Sequence, residues 1–259
     1  MPEIRLNDPD PAVLDGRHVR ASAFETAQQE LIATLPAPRV AAGTARHQAL
    51  TIGAGYARLP RLLAGAGYQV TAIDPSVEAT DAARVQVAVE VDHDGALVEH
   101  RWRDRVRLAD ADHSFDLVWC IDTLEIETDP RDTLAEIARV TRPGGTVVLD
   151  TVNNTFVSRA IYLGLFQRLP LTRIMPPDRY HRGRLLDPAD LTVACQATGI
   201  VVERIIGYEP RSAVGLLRAL LARRRGSARD NELGARAGFR LSVPGHTPPV
   251  TYYAIATPG

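Results

Sequence analysis

The chain has 259 residues, of which 45% are hydrophobic and 24% charged, the balance of an ordinary globular protein. Its formal net charge of -1 provides no overall field that would recruit nucleic acid, so we expect a small-molecule substrate and no nucleic-acid partner. The N-terminus lacks a signal pattern, no apolar run could span a bilayer, and the two cysteines form no C-x-x-C pair, so we expect a cytoplasmic location.

Strands and helices alternate along most of the chain, which favours a mostly parallel sheet. A first helix is predicted over residues 22–34, before a linker. The predicted strands are residues 49–52, 69–73, 96–101, 115–120, 146–151, 200–206 and 251–256. The predicted helices that follow the linker are residues 58–66, 77–89, 130–141, 158–169, 188–198 and 212–225. We therefore predict an α/β protein with a Rossmann-like sheet of seven strands.

The domain organisation follows from the same pattern. Residues 1–47 are expected to form an N-terminal helical segment, and residues 48–259 the main domain. The alternation of strands and helices is interrupted at about residues 153–187, where we predict a helical lid insertion.

A glycine turn after the first predicted strand indicates a nucleotide site. The turn consists of Gly53, Ala54 and Gly55, and Asp74 ends the next predicted strand about 20 residues later. Glycines let the backbone approach a ligand, and a carboxylate at this place can accept hydrogen bonds from both hydroxyls of a ribose. Asp74 also suits the N-cap of the following helix, and both roles can hold at once. The pattern predicts an adenosine cofactor.

The third glycine of a dinucleotide motif is missing, because Arg58 stands at its place. This disfavours a nicotinamide-dependent oxidoreductase, which is the alternative from another class of enzyme. The segments F-D-L-V-W-C at residues 115–120 and T-R-P-G-G-T-V-V-L at residues 141–149, together with the order of the elements, resemble class I S-adenosylmethionine-dependent methyltransferases. The resemblance implies the fold of that class.

Two further segments resemble the ubiquinone-biosynthesis O-methyltransferases. Residues 120–130 read C-I-D-T-L-E-I-E-T-D-P, similar to C-x-E-x-L-E-H-V-x-D-P in that family. Residues 150–154 read D-T-V-N-N, similar to S-T-[VIL]-N-R. The resemblance covers about residues 48–212 and implies S-adenosylmethionine as cofactor, S-adenosylhomocysteine as product, and O-methylation of a small phenolic or quinol-like molecule. N- or C-methylation, and non-methylating chemistry such as that of a cyclase or a decarboxylase, stay open.

The resemblance also implies a set of cofactor contacts at the ends of the strands. The glycine turn would approach the methionine part, Asp74 the ribose, and Ile121 would lie against the cofactor after strand four. Asp104 would accept from the adenine amine, or else be a solvated acid among arginines. The acid that opens the glycine motif in most relatives is Thr51 here. The implied cofactor-binding residues are Gly53, Ala54, Gly55, Asp74, Pro75, Arg103, Asp104, Cys120 and Ile121.

The family has been proposed to hold a divalent cation near its substrate. Asp122 and Glu125 keep the two acids of that motif, whereas Ile126 replaces its histidine. Two carboxylates with water can bind Mg²⁺, but the apolar side chain at residue 126 disfavours it. The family's N-terminal arginine, which meets the cofactor carboxylate, has no clear counterpart in residues 21–33.

Three residues are candidates for the chemistry of methyl transfer: His181 as base, Asp122, and Asn153 at the carboxyl end of a strand. An ungapped alignment puts Tyr180 at the position of a family histidine and His181 one residue later, and a loop histidine among arginines is alternatively solvent-exposed. The apolar helix predicted at residues 158–169 carries two arginines. It suits a lid or a subunit contact in a homodimer, or else peripheral contact with a membrane.

Overall fold

The computed structural model of this chain describes residues 16–35, 47–53, 58–74, 98–102, 108–170, 172–175, 179–228, 232, 236, 238–243 and 246–259. The predicted helix at residues 77–89 lies outside the described residues. The same holds for five of the predicted cofactor-binding residues, which are Ala54, Gly55, Pro75, Arg103 and Asp104.

A mixed sheet forms the centre of the described fold. Its strands are β1 (Gln48–Ile52), β2 (Gln69–Asp74), β3 (Val98–Trp102), β4 (Phe115–Cys120), β5 (Thr141–Val152), β6 (Ile200–Pro210), β7 (Phe239–Leu241) and β8 (Thr251–Pro258). Their order is β3-β2-β1-β4-β5-β8-β6-β7. Strands β1 to β5 are parallel to one another. Strand β8 is antiparallel to both β5 and β6, and β7 is antiparallel to β6. The predicted α/β fold is confirmed, and β7 adds an eighth strand that the sequence did not predict.

Helices pack on both faces of the sheet. They are α1 (Gly16–Ile32), α2 (Arg58–Gly65), α3 (Arg131–Val140), α4 (Phe156–Ser158), α5 (Pro188–Ala197) and α6 (Ala213–Arg224). A π-helical turn, Arg159–Leu165, continues α4, and a 3-10 turn covers Arg182–Arg184. The first helix therefore begins earlier than predicted, and the helical part of the insertion ends at Leu165 rather than at residue 169. No helix in the described ranges is both long and apolar enough to cross a membrane.

The core consists of two apolar clusters, one on each face of the sheet. Trp119 and Tyr253 belong to the cluster that α1 and α2 cover, whereas Val118 and Tyr252 belong to the one that α3 and α5 cover. Adjacent residues of a strand point to opposite faces, so β4 and β8 are buried on both sides. Within this packing, α1 lies against α2 and against the edge strand β7.

The order of strands reverses beside β1, which lies between β2 and β4. Ile52 at the end of β1 pairs with Ile73 of β2 and with Cys120 of β4. In open α/β sheets, ligands bind in the crevice at the carboxyl ends of the strands at such a reversal. Gly53 and Asp74 both lie at these ends, and the crevice is therefore the candidate cofactor site.

Candidate active site

The glycine turn and the loop after β4 touch each other across the crevice. Gly53 has φ +75° and its N–H donates to the carbonyl of Ile73 at 2.9 Å. A Cβ atom on Gly53 would lie 2.0 Å from the carbonyl oxygen of Ile121 and 2.5 Å from Thr123 Oγ1. Only glycine fits this place, because both the space and the positive φ exclude a side chain. The glycine turn and the loop after β4 therefore approach each other closely at the crevice.

The other described cofactor candidates surround the same crevice. Asp74 ends β2 and is only 3% exposed. Cys120 is fully buried at the end of β4, and burial raises the pKa of its thiol. Ile121 follows it, and its N–H donates to the carbonyl of Ile52 at 2.9 Å. The structure therefore brings these predicted residues together, and their contacts with the cofactor stay predictions.

Next to the crevice, a buried arginine from α1 reaches the loop that follows β4. Arg20 is 5% exposed, and its Nη1 donates to Asp122 Oδ1, to Glu125 Oε1 at 3.3 Å and to Tyr180 Oη at 2.5 Å. The sequence did not predict a role for Arg20. No local pattern distinguishes it, since its partners lie more than 100 residues away in the sequence.

Aromatic rings hold the guanidinium of Arg20 in place. Its central carbon lies 5.3 Å from the ring centre of Phe24, 5.5 Å from that of Tyr162 and 5.8 Å from that of Tyr180. A cation is attracted to the face of such rings, and the attraction is strongest where water is excluded. The guanidinium is therefore a fixed positive charge in an otherwise aromatic environment.

Asp122 is the centre of the hydrogen-bond network. Its Oδ1 accepts from Tyr180 Oη at 2.6 Å and its Oδ2 from Arg179 Nη2 at 2.5 Å. Its φ of +46° is unusual for a residue other than glycine, and strained backbone of this kind is concentrated at functional sites. The predicted residue Asp122 is thus inside the cluster, whereas the side chain of His181 is exposed to solvent. Tyr180, its neighbour, is 2% exposed and occupies the cluster instead.

Two further carboxyl groups are buried beside Arg20. Asp150 of β5 accepts from Tyr208 Oη at 2.6 Å, and its Oδ1 lies 3.9 Å from Arg20 Nη2. Burial raises the pKa of Asp150 to about 6, although Arg20 and Tyr208 oppose the shift. Burial and the neighbouring Asp122 likewise raise the pKa of Glu125. A carboxyl group with a pKa near neutrality is suited to proton transfer.

The predicted metal ligands do not fit a divalent cation as they stand. Both Asp122 and Glu125 accept hydrogen bonds from Arg20, so a guanidinium lies where a metal would have to bridge the two carboxylates. The side chain at the third position of the motif, Ile126, packs against the apolar core. The described residues contain no group of three or more potential metal ligands. No step of the chemistry is therefore assigned to a metal.

Asn153, the remaining candidate, lies just after β5 and is 1% exposed. Its Nδ2 donates to the carbonyl of Pro248 at 2.5 Å, and its backbone N–H donates to the carbonyl of Val250. The side chain thus fastens the segment before β8 to the end of β5. Its Oδ1 is buried and has no hydrogen-bond partner within the described residues, and a contact with substrate stays a prediction.

A small apolar cavity lies beside the guanidinium of Arg20, between α1, the insertion and α6. It encloses about 80 Å³, and its walls are mainly aromatic and aliphatic. The residues that line it include Arg20, Phe24, Tyr162, Phe166, Tyr208 and Phe239. The chemistry of these walls favours an apolar or aromatic group over a highly charged molecule.

Comparison with known proteins identifies the class of enzyme to which this chain belongs. The family described as a methyltransferase domain matches residues 50–149. Two solved structures share the fold. A Thermotoga maritima protein, described as an S-adenosylmethionine-dependent methyltransferase and possible histamine N-methyltransferase, has a TM-score of 0.59 at 16% identity over 94% of both chains. An Aquifex aeolicus methyltransferase has a TM-score of 0.57 at 14% identity over 95% of this chain and 99% of that one. The chain is an S-adenosylmethionine-dependent methyltransferase.

Its curated relatives narrow the class. The ubiquinone biosynthesis O-methyltransferase of Aromatoleum aromaticum is 30% identical over 177 residues, which cover 67% of this chain and 73% of that protein. The protein of the same name in Xanthomonas euvesicatoria is 31% identical over 147 residues, 55% of this chain and 58% of that protein. The chain belongs to the family of these O-methyltransferases, as the motifs predicted.

Proposed function

We propose that this methyltransferase transfers a methyl group from S-adenosylmethionine to an oxygen atom of a small phenolic or quinol-like molecule. The observation that carries the proposal is the buried cluster of Arg20, Asp122 and Asp150 beside a small aromatic cavity. A hydroxyl group must lose its proton when it is methylated, and a buried carboxylate can accept that proton while the neighbouring guanidinium stabilises the oxygen. The names of the curated relatives, which are O-methyltransferases, support the same chemistry.

The residues at the crevice have distinct roles in this proposal. S-adenosylmethionine supplies an electrophilic methyl group when it is bound. Gly53 lets the backbone come close to it, Asp74 accepts hydrogen bonds from its ribose, and Ile121 packs against it. The aromatic walls of the cavity hold the acceptor ring next to the cluster. Catalysis then consists mainly of alignment, since methyl transfer requires the acceptor oxygen in line with the methyl carbon and the sulfur.

The insertion contributes to the acceptor side of the site. Tyr162 and Phe166 line the cavity, whereas Phe156 is 80% and Leu169 50% exposed. We propose that this segment forms a lid over the acceptor. Contact of its exposed side chains with a membrane surface or with a second copy in a homodimer stays a prediction, as does a cytoplasmic location.

Product analysis tests the proposed function. The protein is incubated with S-adenosylmethionine and, separately, with catechol, 3,4-dihydroxybenzoate and phenylethylamine, and S-adenosylhomocysteine is measured by chromatography and the product by mass spectrometry. We expect methyl ethers of the two catechols. If only the amine is methylated, the reaction is N-methylation and not the proposed O-methylation. Failure to form S-adenosylhomocysteine with any acceptor would contradict the proposal.

A further inference from the structure

Arg20 uses only part of its hydrogen-bonding capacity. Its Nη1 makes the three hydrogen bonds to Asp122, Glu125 and Tyr180. Its Nε and Nη2 are buried, and neither has a hydrogen-bond partner in the part of the chain that the structure describes. Buried donors are nearly always satisfied, so these two donors require a partner. Arg20 is among the residues that line the cavity, and we infer that a ligand oxygen is this partner.

An unsatisfied acceptor lies beside these donors. Asp150 is fully buried, its Oδ1 accepts from Tyr208, and its Oδ2 has no hydrogen-bond partner among the described residues. Asp150 Oδ1 and Arg20 Nη2 are 3.9 Å apart, too far for a direct hydrogen bond. A hydroxyl group between the two side chains would accept from Arg20 Nη2 and donate to Asp150 Oδ2, the two atoms that have no partner among the described residues.

We propose that Arg20 and Asp150 together receive the hydroxyl group of the methyl acceptor, with Arg20 holding its oxygen and Asp150 taking its proton, in place of a divalent cation. This inference rests on the proposed O-methylation and assigns the acceptor-activating residues of that site. In this proposal the permanent cation is the guanidinium of Arg20 on α1, which aromatic rings hold in place.

The position of Asp150 supports this assignment. It lies next to the guanidinium that also bonds to Asp122 and Glu125, so the three carboxyl groups share one buried cation.

The step balances with these two residues. The hydroxyl proton passes to the carboxylate of Asp150, and Arg20 stabilises the oxyanion. The O–C bond forms as the C–S bond breaks, and its electron pair stays on the sulfur, which becomes the neutral thioether of S-adenosylhomocysteine. The proton on Asp150 then passes to solvent after the methyl ether leaves.

The probe for the oxyanion is 4-nitrocatechol, because its visible absorption changes when it ionises. It is titrated with pH on the protein saturated with S-adenosylhomocysteine. We expect its pKa to fall on binding by about one unit or more, the size of an effect of a neighbouring charge. Arg20→Met should abolish this shift and weaken binding about 10-fold, whereas Glu25→Gln, on the same helix but outside the cluster, should leave both unchanged. An unchanged shift in Arg20→Met would overturn the proposal.

Turnover and metal binding separate the remaining outcomes. With catechol, Asp150→Asn should lower kcat about 100-fold with little change in KM, as for loss of a general base. If Arg20→Met fails to fold, Arg20→Lys keeps the charge and should retain part of the pKa shift of 4-nitrocatechol.

Metal binding is tested separately. Mn²⁺ titration followed by electron paramagnetic resonance should show no saturable site in the wild-type protein, and a site that Asp122→Asn removes would overturn the proposal. If the pKa of 4-nitrocatechol shifts as expected but catechol is not methylated, the proposed O-methylation is contradicted, whereas binding of the hydroxyl group by Arg20 is not.

Discussion

Arg20 Nη1 lies 3.3 Å from Glu125 Oε1, although 105 positions separate the two residues in the sequence. The first helix therefore contributes a side chain to the cluster that follows β4. Phe24 on the same helix packs edge-on against Tyr208 of β6 and Phe239 of β7, which fixes the helix at this place. The proposed acceptor site thus combines residues from α1 with residues from β6 and β7.

Removal of the Arg20 guanidinium should cost considerable stability. Arg20→Met leaves three buried carboxyl groups without their shared cation, and breaking a buried pair in this way typically costs about 3–5 kcal/mol. Urea denaturation measures the free energy of unfolding. The double variant Arg20→Met with Asp122→Asn should be less destabilised than the sum of the two single variants, because each removes the other's penalty. Additive effects would show that the two residues do not interact.

A second ion pair, between Glu25 of α1 and Arg58 of α2, gives the control. Arg58 donates to Glu25 at 2.5 Å, but Glu25 is 36% exposed. Exposed ion pairs contribute about 1 kcal/mol or less, so Arg58→Met should have a correspondingly small effect. Equal losses in Arg20→Met and Arg58→Met would contradict the special role of the buried cation.

Gly53→Ala should destroy the cofactor crevice. The added Cβ atom would meet the carbonyl of Ile121 at 2.0 Å, and the positive φ adds strain of about 1–2 kcal/mol. We expect affinity for S-adenosylhomocysteine, measured by calorimetry, to fall at least about 10-fold. Gly67→Ala is the control, because Gly67 also has a positive φ but has no atom near its Cβ position among the described residues. Gly67→Ala should lose stability and keep its affinity for S-adenosylhomocysteine. An equal loss of affinity in both variants would contradict the assignment of the crevice as the cofactor site.

Asp150 should make the stability depend on pH between about 4 and 6. Its pKa in the folded protein is about 6, above the value of about 3.9 for an unfolded chain. Between these values the folded state binds a proton that the unfolded chain has lost, so the free energy of unfolding falls as the pH rises, by up to about 3 kcal/mol. The titratable and charged groups that interact with Asp150 are Arg20, Tyr208, Asp122, Glu125, Tyr162, Tyr253 and Cys120.

Asp150→Asn isolates this contribution from those of the other titrating groups. Urea denaturation of both proteins at pH 4, 5, 6 and 7 gives the difference in their stability. The variant should gain stability relative to the wild type as the pH rises through this window, since it has no carboxylate to bury. Parallel profiles would show that the pKa of Asp150 is not raised.

Substitutions of Tyr180 and of His181 should have different effects, because Tyr180 is buried and His181 is exposed. Tyr180→Phe removes the hydroxyl that donates to Asp122 at 2.6 Å, and should cost about 1–3 kcal/mol as a hydrogen bond to a charged group. His181→Ala, at an exposed position, should change stability by no more than about 0.5 kcal/mol. Thermal denaturation compares them, and the rate of methyl transfer tests the sequence prediction for His181: a loss of about 100-fold would confirm it as the base.

The sequence predicted the regular part of the fold because that part depends on local patterns. β4 has its predicted bounds, and α5 begins as predicted at Pro188, where Asp187 accepts from two backbone N–H groups as N-cap. Gly53 and Asp74 were found by spacing alone. The short strand β7 was missed, because three residues have too little periodicity to predict a strand.

The acceptor cluster was predicted only in part. Asp122 and Glu125 lie in a recognisable segment, but Arg20 joins them through tertiary packing that no local pattern contains. The choice between Tyr180 and His181 depends on the direction of each side chain in an irregular loop. Alignment by motif identified the loop, whereas the burial of Tyr180 and the exposure of His181 follow from the fold.

The central claim is that this enzyme methylates an oxygen that Arg20 and Asp150 hold. The most direct test is the mass spectrum of the product formed from catechol and S-adenosylmethionine by the wild-type protein, Arg20→Met and Asp150→Asn, each with S-adenosylhomocysteine binding verified. The account predicts the methyl ether of catechol from the wild type and at least about 100-fold less of it from each variant. Equal amounts of product from all three proteins would contradict it.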